Sequence, residues 1–315
     1  MAGKFTRYEQ APVSMTIGSG GVCDMLATTV TVGENLPLQA VRALGYNGAV
    51  AVTANGPVDG TWSVTYHLVK NAGANCGDAT SYDGSGCTAF YSPDESGSNW
   101  VLSKGFADAD KLSMKIGEVE MFTKGIANSF NVTAEPNAII TATLGGNFYD
   151  CRMKPDAGAF GDDATAAKAG EGDLNVAHGS ESGADASALG FGCDPFNATY
   201  EASRGFNPIY TLGNLSAVMV MVTDPQQSIS MQGEDLPKGV IGNCDSASDT
   251  PLCLTPNSID FNIGDVCGNN IATYGICGHI QSRDVEVAEN DVLRGNISIV
   301  DYTMKQDVGA KAECS

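Results

Sequence analysis

Side chains able to do acid–base, nucleophilic or metal chemistry are few in this sequence and poorly spaced for it. Three histidines occur, His67, His178 and His279, and none lies in a motif with metal-ligand spacing. His67 stands beside Leu68 in an alternating stretch, which marks it as a structural residue of a strand. His178 lies among Gly and Ser and is expected to face solvent. Chain order alone leaves a Ser-His-Asp triad open, but no G-x-S-x-G elbow is present. The acidic stretches Asp156 to Asp163 and Asp245 to Asp249 are the nearest candidates for calcium. Neither follows the twelve-residue calcium-loop pattern, so both read as solvated acidic loops. Carboxylates paired for glycoside hydrolysis are recognised by separation in space, which a sequence does not give. Gly20-Gly21 and Gly145-Gly146 precede no Lys-Ser or Lys-Thr, so neither is a phosphate loop. The reading therefore assigns no catalytic, cofactor-binding or metal residue, expects no cofactor and expects no enzyme.

The ten cysteines point two ways. Cys76/Cys87, Cys244/Cys253 and Cys267/Cys277 are spaced like small loop staples, without a C-x-x-C or a paired histidine to make a zinc site. Met1 to Arg7 runs into polar residues with no apolar stretch of a leader behind it, so synthesis in a cytosol is expected. Disulfides are then not expected during synthesis, though they can form later outside the cell. Reduced cysteines and late disulfides both stay open. The triplets at Asn131, Asn197, Asn214 and Asn296 match the glycosylation pattern and, without a leader, read as chance.

The elements that would position any site are strands. The chain has 315 residues, 43% of them hydrophobic, with 38 glycines and only 17% charged residues. That is enough for two domains with a sizeable core. Thr, Val, Ile and Ala fill the patterned stretches, as in a strand-rich protein with many turns. Net charge is −20, which argues against a nucleic-acid binder and against docking on anionic membrane. It suits solubility, a saline habitat, or a surface that nucleic acid slides past.

Ala27 to Val32 and Gly48 to Thr53 read as strands. After the turn Asn55 to Gly60, the stretch Thr61 to Leu68 puts Trp62, Val64, Tyr66 and Leu68 on one face, and the whole reads as a hairpin. Asn71 to Asn99 reads as a long polar loop. Phe130 to Ala134 and Ile139 to Leu144 flank a turn at Glu135-Pro136-Asn137. Phe160 to Tyr200 is Gly-, Ala-, Ser- and Asp-rich, a seam or a surface insertion. Ala217 to Val222 reads as a buried strand, with Val285 to Val287 and Asn296 to Val300 as closing strands. Only Asp108 to Met114 and Asp162 to Ala169 could form a helical turn or two.

Three strings occur twice, in one order. Leu44-Gly45-Tyr46-Asn47-Gly48-Ala49-Val50-Ala51-Val52 answers to Leu212-Gly213-Asn214-Leu215-Ser216-Ala217-Val218-Met219-Val220. Ile116-Gly117-Glu118-Val119 answers to Ile263-Gly264-Asp265-Val266. Ala134-Glu135, then Ile139-Ile140, answers to Ala288-Glu289, then Val292-Leu293. Together they point to a duplicated β-rich unit, with Val50 and Val218 on corresponding strands. The expected layout is a first unit over 1–155, a linker or insertion over 156–206, and a second unit over 207–315.

The run Leu36-Pro37-Leu38 … Arg42 to Ala49, then Gly56 to Tyr66, and the later Gly125 to Phe130 leading into two strands, resemble the major tail tube proteins of tailed bacteriophages. The high cysteine count and the two long loops depart from that pattern. The resemblance implies a mainly β chain of two related β-sandwich or barrel-like units, with few short helices and long loops. It implies subunits joining edge to edge into rings that stack as a tube, with DNA as non-specific cargo in the lumen. Some members carry two tube units per chain, and three such chains make a pseudo-sixfold ring; a hexamer is the alternative. Other tail proteins are the implied partners, and the implied location is the virion tail, after synthesis in the host cytoplasm. The competing readings are another virion assembly protein, such as a capsid decoration or tail fibre, an extracellular β-sandwich adhesin, and a β-rich hydrolase built on distant carboxylates.

Overall fold

The computed structural model describes residues 12–71, 87–91, 100–150 apart from 109 and 118, 174–184, 195–234, 256–287 and 293–302. The stretches 156–163, 162–169 and 245–249 and the cysteines Cys76, Cys244 and Cys253 lie outside them. Strands in chain order are β1 (Val13–Ile17), β2 (Val22–Met25), β3 (Ala27–Asn35), β4 (Leu38–Arg42), β5 (Ala49–Ala54), β6 (Asp59–His67), β7 (Val69–Asn71), β8 (Leu112–Ile116), β9 (Val119–Ala134) and β10 (Thr141–Phe148). There follow β11 (Leu174–Val176), β12 (Gly183–Ala184), β13 (Asn197–Ile209), β14 (Met219–Glu234), β15 (Asn257–Gly264), β16 (Asn270–Glu286) and β17 (Arg294–Asp301). One short helix, α1 (Thr88–Tyr91), and two 3-10 turns complete the described elements. The fold is mainly β, as the composition predicts.

Thirteen strands join one antiparallel sheet, whose main path runs β12-β15-β16-β17-β14-β13-β9-β10-β6-β3. Period-two patterning makes this sheet two-faced. Across its middle, Tyr66, Ala142, Val132, Tyr200, Ile229 and Ile299 pair in succession and all are buried. Trp62, Val64, Tyr66 and Leu68 share the buried side, as their alternation requires. Tyr200 and Tyr274 stack at 4.8 Å, and Trp100 meets Phe130 edge-on at 5.4 Å. Burial would strand the hydroxyls of Tyr66 and Tyr274, but both have partners. Tyr66 Oη donates to the Phe90 carbonyl at 2.6 Å and Tyr274 Oη to the Tyr91 carbonyl at 2.9 Å, so α1 is tied down by both.

Five expectations change. The Asn55 to Gly60 turn does not close a hairpin between β5 and β6. β4 pairs with β5, and β3 pairs with β6, so one long hairpin is broken in both arms, at Leu36-Pro37 and at Asn55 to Val58. Pro37 and Pro57 lack the N–H a continuous ladder needs, which places the break. Ala217 to Val222 is not buried: Ala217 and Val220 are covered, while Val218, Met219, Met221 and Val222 are exposed, because this run lies at the far end of the β13–β14 hairpin. Asp108 to Met114 gives one turn and then strand β8, since Leu112 and Met114 alternate into the core. Cys87 bonds to Cys23, 64 residues away, and not to Cys76. Cys267 and Cys277 each take part in a disulfide too, which says nothing of a staple between them. Finally, the stretch 156–206, expected as a linker or insertion, contains β11, β12 and most of β13.

The first pair of repeated strings, at Leu44 and Leu212, occupies equivalent places. Gly45 and Gly213 sit at the two hairpin tips, with φ of 87° and 85°, in the left-handed region that glycine enters freely. Both tips close with the same bond, Tyr46 N–H to the Ala43 carbonyl at 3.3 Å and Asn214 N–H to the Thr211 carbonyl at 3.2 Å. Leu38 pairs with Ala54 as Phe206 pairs with Val222. The equivalence extends beyond the strings. Between β9 and β10, Ser129 pairs with Gly145 and Ala127 with Gly146, skipping Asn128. Between β16 and β17, Ser282 pairs with Ser298 and Ile280 with Ile299, skipping Gln281. Thus β3–β4, β5–β6, β8, β9 and β10 correspond to β13, β14, β15, β16 and β17, down to a shared bulge. The turn at Glu135 to Ala138 is present, with Asn137 at φ 58°; its counterpart at 288–292 lies outside the described residues.

Candidate functional site

The three histidines lie on separate elements. His67 is on β6 and His279 on β16, six strand steps apart along the sheet. His178 caps a 3-10 turn, its Nδ1 accepting from Ser180 N–H at 3.3 Å. Among the described residues no group of three His, Cys, Asp or Glu is placed to hold a metal ion. Asp265, from the second repeated string, is a built carboxylate that serves the turn between β15 and β16. It accepts from the backbone N–H groups of Cys267 and Asn269, each at 2.8 Å, and from Asn175 Nδ2 at 3.0 Å. Burial pushes its pKa up, but these donors outweigh it and hold the carboxyl below the ordinary value.

The opposite face of the sheet carries a different pattern. Thr141, Thr133, Thr199, Ser230, Ser298 and Ser282 are successive partners across β10, β9, β13, β14, β17 and β16, a row of hydroxyls six strands wide. The next row reads Thr65, Thr143, Asn131, Glu201 and Ser228. The one after reads Thr31, Ser63, Gly145, Ser129, Ser203 and Gln226. None of these residues is buried except Gly145, and the one ionisable member is Glu201. Neighbours satisfy one another along the rows: Thr133 and Thr199 hydroxyls lie 3.0 Å apart, Ser230 donates to Ser298 at 3.3 Å, and Asn131 Nδ2 donates to Glu201 at 2.9 Å. Such a face is wettable and nearly uncharged. These three rows offer no cation to hold a phosphate and no nucleophile–base pair. Sequence reading took the inward positions of these strands and passed over the outward ones; the signal was the Thr/Ser at every second residue, as in Thr61, Ser63 and Thr65.

The two units meet within this sheet. Six consecutive pairs, Ala198↔Ala134 through Ser203↔Ser129, lay β13 of the second unit along the edge of β9 of the first. Arg204 locks the joint: its Nε donates to the Ala127 carbonyl at 2.8 Å and its Nη2 to the Lys104 carbonyl at 2.7 Å. Burial lowers its pKa to about 10, which leaves it charged at neutral pH. The hairpin tips project from the sheet with apolar side chains outward. Leu44 and Leu212 are 102% and 103% exposed, and Val52, Val218 and Met219 are exposed beside them. Among the described residues the exposed features include apolar tips, strand edges and a hydroxyl face. Compared with known proteins, the chain matches no family model and no curated protein.

Proposed function

We propose that this chain is a structural virion protein, a tail tube subunit that self-assembles into stacked rings around a channel for phage DNA. The observation that carries this reading is the tandem repeat: two equivalent units already joined edge to edge in one sheet. A head-to-tail contact of this kind, repeated between copies, closes into a ring and leaves no strand edge free. The hydroxyl rows support it, because rows with no Lys or Arg do not trap a dense row of phosphates. The net charge of −20 acts in the same direction. In this reading the partners are further copies of the chain and other tail proteins, DNA is cargo, and the protein acts by geometry without a cofactor.

Negative-stain microscopy of the purified protein tests the proposal. Rings or hollow tubes are expected; monomers at high concentration, with no rings at any salt, would sink it. One observation favours a second reading, an extracellular β-rich adhesin: the Cys23–Cys87 disulfide suits an oxidising space. That reading requires a monomer that binds glycan or a host surface.

A further inference from the structure

We infer that a second copy of this chain docks the outer edge of its β3 on the outer edge of β16 of the first, in the register of the internal seam. The inference rests on the ring-forming reading and names the contact that reading leaves unspecified.

The argument uses the equivalence of the two units. In the seam, β13 lies on β9. Their counterparts are β3 and β16, and among the described residues β3 pairs only with β6, while 282–286 of β16 pair only with β17. One chain thus carries one seam in full and the two halves of a second seam at its opposite ends. The pairings fix the correspondence. Val30 pairs with Val64 as Ala198 pairs with Met231, and the shared bulge aligns Ser129 with Ser282. Carrying the seam across sets Val30 opposite Val287, Thr31 opposite Glu286, Val32 opposite Val285, Gly33 opposite Asp284 and Glu34 opposite Arg283.

Two features fit an edge made to be covered. Val285 and Val287 are 47% and 68% exposed, although they occupy the places of Val132 and Ala134, which the internal seam buries. A long edge with outward valines is a pairing hazard unless a partner takes it. The second feature is charge. Ala202 faces Phe130 in the internal seam, and both are buried. The same position between copies sets Glu34 against Arg283. Opposite charges facing across paired strands favour this register, and like charges oppose it. At this one position the seam within a chain is apolar and the seam between chains carries an ion pair, so the two are not interchangeable.

Two sets of variants test this, read by sedimentation velocity, with circular dichroism to confirm that each remains folded. Glu34→Arg and Arg283→Glu should each weaken assembly on the order of a hundredfold by opposing like charges, and the double variant should restore it. Independently, Thr31→Cys with Glu286→Cys should give a covalent ladder on oxidation, since the equivalent Thr199 and Thr133 hydroxyls lie 3.0 Å apart. Thr31→Cys with Asp284→Cys should give none. If rings form normally in both single charge variants, or the ladder fails in assembled protein, the edge pairing is overturned and the tube reading stands. If the unaltered chain never assembles, both fall.

Discussion

Truncating Phe130 probes whether the two units melt as one body. Its ring is 1% exposed and lies where their cores meet. Trp100 of the first unit sits 5.4 Å away, and Tyr200 and Tyr274 of the second lie at 6.1 and 5.5 Å. Phe130→Ala removes a buried ring with little chance of collapse around it, because its neighbours are pinned by their own contacts: Tyr200 Oη donates to Gln227 at 3.2 Å and Tyr274 Oη to Tyr91. Such a loss costs about 3–5 kcal/mol. For a body of this size each kcal/mol lowers the melting temperature by about 2 °C, so a fall of roughly 6–10 °C is expected. Differential scanning calorimetry on dilute protein is the assay, with near-ultraviolet circular dichroism to follow the aromatic cluster. A single transition should move as a whole. Two transitions with only one displaced, or a shift below about 2 °C, would refute the claim that the aromatic cluster couples the units.

Three further outcomes are expected. Cys23→Ser should destabilise the chain by about 4 kcal/mol, the loop-closure value for a bridge spanning 64 residues; chemical denaturation of the variant beside the unaltered, oxidised protein measures the loss. Asp265→Asn should cost stability at neutral pH and little in acid. The native carboxyl titrates below its unfolded value, so its contribution is full above about pH 5 and fades as pH falls through the lowered native pKa; urea midpoints at both pH values measure it. Gly146→Ala should destabilise by about 1–3 kcal/mol, because a Cβ there runs into the Ile126 carbonyl oxygen and the Trp62 ring; thermal melts against Gly183→Ala, where nothing lies nearby, give the comparison.

Much of this fold was legible in short patterns. The alternation of Trp62, Val64, Tyr66 and Leu68 gave the buried face, because a strand turns every second side chain the same way. The paired Leu-Gly strings gave the duplication, because a tip glycine in the left-handed region is hard to replace. Long-range facts were not legible. That Cys87 reaches Cys23 depends on a packing that cysteine spacing does not encode. That β5 and β6 are two halves of one arm, and not a hairpin, depends on which strands lie alongside them. Ala217 to Val222 was misjudged for another reason: an apolar run reads the same whether its own chain covers it or leaves it outward. The hydroxyl rows were visible residue by residue, but a row exists only once six strands are in register.

The shared bulge at Asn128 and Gln281 has a geometric corollary. A skipped residue bends its strand, so equal skips put the same local bend at the same place in both units. The rotation that superposes one unit on its neighbour is thus an angle contained in a single molecule. If every later joint repeats it, that angle divided into a full turn counts the units in a closed circle, and the count is even because each chain brings a pair. The width of the hole would then be written in one polypeptide before any two of them meet.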